Sequence, residues 1–421
     1  MTASRTPRIL FATWDGPQTS YLEGLFLPIF ERLRTAGHEV DVMQFTWGPE
    51  EHRAAQRRAC EARGIAYTAQ TVLRHPSRVA KALSTVMGAA AIRRLVAARG
   101  IDLVLPRSTL PAFAAWRACR RMGAARPAIL FDADGLPHDE RVDFTGWSPH
   151  GMTYRLLRDL EAEAVRRADA VLVRSARAAE ILAARAGPCA PPPAFHAVWN
   201  GRDTERFRPA SAEARAETRR RLGIPAETFL LVYAGSMGAQ YCPSEMVALF
   251  RAVRDRRPDA HFLVLTGETE TAEREIMAPL DMPRCVTVMR AAPDEMPALL
   301  GAADAGLALR RPGFSMQAVF PIKVAEYLLC GLPVVATRGI GDLDGFLEGA
   351  QSVHRTDNLN DGALAAAAEW LVEPNRVIAR ARAEEARRLG LAHCGLDATV
   401  ARYTAAIEAA LAARAGRPAR R

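Results

Sequence analysis

Lys323 and Glu326 place a cation and a carboxylate near the start of one helix-like run. Backbone N–H groups at a helix start favour anions, so a phosphate is the first ligand to consider there. The chain has 56 basic residues, yet lysine occurs only at Lys81 and Lys323. In so arginine-rich a protein, a lysine at a helix start reads either as a required compact point charge or as a solvated surface group. A second cluster, Asp132, Asp134, His138, Asp139 and Glu140, runs from the end of PAILFDAD into the polar stretch that follows. A carboxylate or imidazole there could orient or deprotonate a hydroxyl. The competing reading is a polar loop that caps the next helix. Three glycine turns complete the set: Asp15-Gly16, Gly235-Ser236-Met237-Gly238, and Gly339 with Gly341. None is G-x-G-x-x-G, and the chain has no P-loop, H-E-x-x-H, G-x-S-x-G or Cys/His cluster.

These residues need elements to hold them. Lys323 to Cys330 reads as a helix that stops at Gly331, and Leu332 to Thr337 as a strand buried on both faces. From the N-terminus, strands are expected at Arg8–Thr13, His38–Phe45, Ile65–Gln70, Ile101–Pro106, Pro127–Asp134 and Ala168–Ser175. Helical segments lie between them, with Gly135 to Pro149 as a polar loop and Tyr154–Arg167 as a long helix. After the proline-rich Gly187–Pro193, a short strand breaks at Asn200-Gly201, and Ala210–Arg221 reads as an interdomain connector. The pattern then restarts: Phe229–Gly238 repeats the form of Arg8–Gly16, and later strands match their counterparts in order. The fold expected is α/β, with two tandem Rossmann-like domains, each a doubly wound parallel sheet, facing across a cleft. Their limits are read as 1–208 and 209–390, with 391–421 forming a C-terminal helix that packs back on the first domain and a frayed tail.

Bulk properties narrow the class. At 421 residues the chain exceeds one comfortable core. No apolar run reaches the ~18 residues of a membrane span, and Ile9–Ala12 is too short for a signal-peptide core. Seven cysteines are scattered singly, which argues for a reducing, cytoplasmic compartment and against a zinc site or disulfide framework. The net charge is +9, and between Thr71 and Arg126 eleven basic residues face one acid, Asp102. No nucleic-acid module accompanies this charge, so nucleic acid is not expected as a partner. Arg78, Lys81, Arg93 and Arg94 alternate with apolar residues, which fits either an amphipathic helix at the inner face of the membrane or an arginine-rich solvated face.

Four motifs in order, NGRDTERFRP, YAGSMG, DEMPALLGAADAGLAL and PIKVAEYLLCGLPVVAT, span Asn200 to Thr337. Together they resemble the retaining, nucleotide-sugar-dependent glycosyltransferases of the two-Rossmann GT-B fold, of the group 1 and family 4 type. The resemblance implies a carboxylate, Glu326, that accepts hydrogen bonds from ribose hydroxyls. It implies that Lys323 and its helix start hold the diphosphate, that Gly235, Ser236 and Gly16 let the backbone approach the donor, and that Arg290 reads the base. It implies a nucleotide-diphosphate sugar, UDP-linked by expectation, as co-substrate, with no cofactor and no metal, and a carbohydrate or lipid-linked acceptor oriented by Asp134 or His138. Two departures stand out. Ala318 occupies the place of an expected glutamate, and the family's basic pair after the first glycine turn is replaced around Ser236 and Gln240-Tyr241. Arg310, Arg311 and Lys323 are then the candidates to meet the diphosphate charge. A nucleotide-sugar epimerase of related fold, or a non-catalytic nucleotide-binding protein, are the alternative readings.

Overall fold

The computed structural model describes residues 6–17, 21–73, 77–189 and 191–416. Its chain forms two compact units, residues 1–198 with 399–421, and residues 199–398. The segment 199–208, read in the sequence as part of the first domain, thus lies in the second unit. Trp199 stacks there on Phe320 at 5.3 Å, and Arg387 binds the carbonyls of Thr204 and Phe207.

In the first unit, seven strands form one parallel sheet: β1 (Arg8–Trp14), β2 (Glu39–Thr46), β3 (Ala66–Thr71), β4 (Leu103–Pro106), β5 (Ala128–Asp132), β6 (Ala170–Val173) and β7 (Ala194–Ala197). Their order is β3-β2-β1-β4-β5-β6-β7, with Ile9 opposite Val40 on one side and Leu103 on the other. Ile9 to Ala12 are buried on both faces, as their continuous apolar run requires. The helix Leu27–Thr35 turns Leu27, Ile29, Phe30 and Leu33 onto the sheet, and Phe30 meets Phe11 edge-on at 4.9 Å. The last helix, Leu396–Gly416, buries Tyr403, and its Arg414 binds the carbonyl of Arg126.

The second unit repeats the plan with β8 (Leu230–Ala234), β9 (His261–Leu265), β10 (Val286–Met289), β11 (Ala305–Ala308), β12 (Val334–Thr337) and β13 (Val353–Thr356), in the order β10-β9-β8-β11-β12-β13. The strand order reverses between β8 and β11, the switch point where open α/β sheets offer a crevice.

Three segments differ from the sequence reading. Gly135–Pro149 is not all loop: Pro137 to Thr145 is helical, with Pro137 in the first turn, Asp139 and Glu140 beside it, and a stop at Gly146. Ala212–Arg221 is a helix of the second unit and not a connector. Its Arg219 is buried and binds the carbonyls of Ala302, Ala226 and Thr228 as well as Asp304. The strand β13 was not expected, because its Val-His-Arg-Thr sequence lacks an apolar run. Among the described residues, no helix is long and apolar enough to cross a membrane.

The helix Ile322–Leu329 is buried from Lys323 to Leu329, and Tyr327 anchors it. The Tyr327 oxygen accepts the N–H of Ala234 at 2.8 Å, and its ring fills the space above Gly306. A Cβ at Gly306 would lie 2.4 Å from that ring. Gly306→Ala should therefore destabilise the protein by about 1–3 kcal/mol, the usual cost of overpacking. Calorimetric unfolding measures this; an unchanged transition would show that the ring moves aside freely.

Candidate functional site

In the second unit, the singled-out residues gather at the carboxyl ends of the strands. Gly235 follows β8 and donates its N–H to Leu265 at the end of β9. Arg290 follows β10 and donates to the Gly267 carbonyl at 2.6 Å. Arg310 follows β11, and its N–H binds the Thr337 hydroxyl at the end of β12. Ser236 is exposed and its carbonyl accepts the Tyr233 hydroxyl.

Lys323 is not a solvated helix-start lysine. It is 7% exposed, and its Nζ lies 3.8 Å from the centroid of the Tyr233 ring. Among the described residues, neither that Nζ nor the buried Nε of Arg310 has a hydrogen-bond partner. Burial, with the Arg310 guanidinium next, holds Lys323 well below the usual lysine range, against the opposite pull of Glu326. Gly235 explains how the amine fits: a Cβ there would stand 2.6 Å from Nζ. Two nitrogens without partners, beside a glycine turn and an uncapped helix start, are donors of the kind an oxyanion can accept from.

Glu326 faces Arg202, whose Nε and Nη2 both reach Oε1 at 2.9 Å. Both contacts fall on one oxygen, so Oε2 keeps its capacity to accept from hydroxyls. Arg202 belongs to the NGRDTERFRP motif, and that membership was the only sequence signal for its role. Arg311, in contrast, is held by Glu245 at 2.6 Å and by the Ala239 carbonyl. Ala318 lies buried in a short 3-10 turn.

In the first unit, the acidic cluster divides into separate pairs. Asp132 is fully buried and takes both oxygens to Arg174 Nη2 at 2.7 Å. Asp139 is gripped in bidentate fashion by Arg185, with the Tyr154 hydroxyl on Oδ1. These are structural ion pairs, which removes both from the catalytic candidates. Asp134, in a left-handed conformation, binds Arg107 at 2.5 Å. The His138 Nε2 meets the Thr109 hydroxyl at 2.8 Å. Arg107 and Thr109 sit two residues apart after β4, so a single turn supports both Asp134 and His138. Arg107 also reaches Asp15, the residue before the buried Gly16, at 3.5 Å. Burial raises the Asp15 carboxyl, and Arg107 opposes it. Sequence reasoning passed over Arg107, Thr109 and Asp15, although Asp15 stands in the first glycine turn.

The family model for Glycosyltransferase Family 4 matches residues 29–206, and that for Glycosyl transferases group 1 matches residues 228–374. The chain belongs to the GT-B glycosyltransferases. It is 27% identical over 366 residues to a GDP-mannose-dependent alpha-(1-6)-phosphatidylinositol monomannoside mannosyltransferase of Mycolicibacterium smegmatis, covering 86% of this chain and 87% of that protein. A D-inositol 3-phosphate glycosyltransferase of Corynebacterium jeikeium is 29% identical over 167 residues, 38% of this chain. That match spans only 39% of the relative's length. The fold is shared with Anabaena HepE in complex with UDP and glucose, at a TM-score of 0.71 and 18% identity over 95% of this chain and 99% of that one.

His138 carries a pH prediction. Burial, then the nearby Arg141, lowers its pKa from 6.5 to about 4, so the ring is neutral near pH 7 and suited to orienting a hydroxyl more than to taking its proton. Because the folded state disfavours the charged ring, His138 contributes stability that is complete above 6.5 and is lost as pH falls toward about 4. The loss is on the order of 3 kcal/mol. Denaturant unfolding across this range should show a shallower acid limb for His138→Gln; parallel limbs would show that the ring is not held neutral.

Proposed function

We propose that this GT-B glycosyltransferase moves a hexosyl group from a nucleoside diphosphate sugar to an acceptor hydroxyl, with retention of anomeric configuration. Lys323, Arg310 and the N–H groups that open the helix Ile322–Leu329 meet the diphosphate, while Oε2 of Glu326 accepts from the ribose. Gly235 and Ser236 let the backbone approach the donor, and Arg290 lies toward the base. Gly16, Asp134 and His138 serve the sugar and the acceptor. The observation that carries this reading is the buried, unpartnered Nζ of Lys323 beside the unpartnered Nε of Arg310 at the switch point of a parallel sheet.

The chemistry follows from charge. As the bond between sugar and phosphate breaks, negative charge grows on the leaving diphosphate, and fixed cations and N–H dipoles stabilise it without reorganising. The sugar gains oxocarbenium character, and the acceptor oxygen attacks it with no protein nucleophile intervening. Neutral His138 orients the acceptor hydroxyl.

Glu326→Gln and Lys323→Ala should each lower kcat/KM by roughly 10- to 100-fold, the worth of about 1.5–3 kcal/mol for a charged hydrogen bond. The assay is sugar transfer from UDP- and GDP-sugars to lipid-linked and polysaccharide acceptors. Unchanged kinetics in both variants would remove the donor assignment. Conversion of the nucleotide sugar without acceptor would favour an epimerase, and nucleotide binding without transfer across the panel would favour a binding protein.

The acceptor class proposed is a glycan or lipid-linked saccharide of the cell surface, reached at the cytoplasmic face of the membrane. On the helix Ser77–Arg99, exposed Leu83, Val86 and Met87 share one face with exposed Arg94, and Arg93 borders it. The side chains of Arg78 and Lys81 lie outside the described residues. Flotation with anionic vesicles should recover the protein, and Arg93→Glu with Arg94→Glu should reduce recovery several-fold, at roughly 1 kcal/mol per basic residue. Recovery independent of vesicle charge would sink the membrane proposal.

A further inference from the structure

The Tyr241 ring lies between two cations. The Arg310 Cζ is 4.7 Å from its centroid and the Lys323 Nζ is 5.0 Å away. Tyr233 presents its own ring to Lys323 from the other strand end, at 3.8 Å. The charged or titratable groups around Lys323 are few. Arg310 faces it from the end of β11, Glu326 from its own helix, and Cys242 from the residue after Tyr241. The Cys242 thiol is pushed up to about 12 by burial and stays neutral. Glu326 is taken up by Arg202. Lys323 therefore leans on π faces with no hydrogen-bonded anion among the described residues.

We infer that Tyr241 is a positioning residue that holds Lys323 and Arg310 side by side before any anion arrives, and that diphosphate binding is coupled to proton uptake by the Lys323 amine. The inference rests on the donor reading above. The step balances simply: the fraction of Lys323 that burial and Arg310 hold as –NH2 takes up protons from solvent and becomes –NH3⁺ as the diphosphate brings negative charge to it. The burial and the neighbouring Arg310 that disfavour the ammonium are both in place without ligand. An incoming diphosphate reverses the balance, because an opposite charge within ~4–6 Å favours the charged form. Affinity should then fall as pH rises through the interval between the depressed value and the value Lys323 regains beside phosphate. This arrangement also accounts for the missing basic pair after Gly235. Tyr241 stands in that region and positions cations drawn from two later elements.

The test is calorimetric titration of the full chain with UDP and with GDP, in two buffers of different ionisation enthalpy. Wild type should bind at least one nucleotide with net proton uptake, and Lys323→Met should bind more weakly with no uptake. Tyr241→Phe, which keeps the ring, should bind like wild type, whereas Tyr241→Leu should lose about 5- to 30-fold in affinity. Thermal unfolding checks that each variant folds, and proton uptake by the wild type is a test that needs no variant. If wild type binds without buffer dependence, or Tyr241→Leu binds like wild type, the inference is overturned and the donor reading stands. If wild type binds neither nucleotide, or Lys323→Met binds like wild type, both fall together.

Discussion

Taking a lysine amine out of water disfavours its charged form, and the second unit sets aromatic faces beside Lys323 where a carboxylate would be the usual partner. The elements around Lys323 depend on this arrangement. The β8 strand supplies Tyr233 and ends at Gly235, where any side chain would strike the amine. The helix that carries Lys323 is pinned in its last turn by Tyr327, whose oxygen accepts from Ala234 at the end of β8, and by Arg387, which binds the Leu329 carbonyl at 2.6 Å. A cation held this way keeps its hydrogen-bonding capacity for a ligand. A Lys–carboxylate pair would have spent it internally.

The first unit uses the opposite solution. Its carboxylates are answered by arginines in place: Arg174 Nη2 on both oxygens of Asp132, Arg185 as a fork on Asp139, and Arg107 between buried Asp15 and half-buried Asp134. Such pairs lock the carboxyl ends of β1, β4, β5 and β6. They leave His138 as a neutral ring on a hydroxyl, a group that directs a hydrogen bond without changing charge near neutral pH. The contrast is one of pairing: Lys323 in the second unit packs on aromatic rings, whereas arginine–carboxylate pairs surround a neutral imidazole in the first.

Most strands were legible because strands buried on both faces leave uninterrupted apolar runs, as in Arg8–Trp14 and Val334–Thr337. The exceptions are physical. Val353–Thr356 forms an edge strand, where half-exposed His354 and Arg355 replace the apolar run. Pro137–Thr145 reads as loop because its helix has almost no apolar stripe, and it is stabilised instead by a proline start, first-turn acids and buried polar contacts. Ala212–Arg221 looks solvated until Arg219 is seen buried among carbonyls. In the candidate site, Lys323 and Glu326 drew notice through residue type and motif. Arg202, which holds Glu326 from 124 residues away, drew notice only as part of a motif.

By itself the sequence determined the doubly wound class, the tandem repeat of one αβ plan and the glycosyltransferase resemblance, and it singled out Lys323 as a rare lysine, since period, turn residues and composition are local properties of a chain. Only the tertiary structure decided which charges are paired. It turned Asp132 and Asp139 into structural ion pairs, tied Glu326 to Arg202, and buried Lys323 against Tyr233 and Tyr241 without an anion. The reason is that desolvation and charge pairing depend on what surrounds a group in space. Residues distant in the chain supply those surroundings, and no spacing between neighbours encodes them.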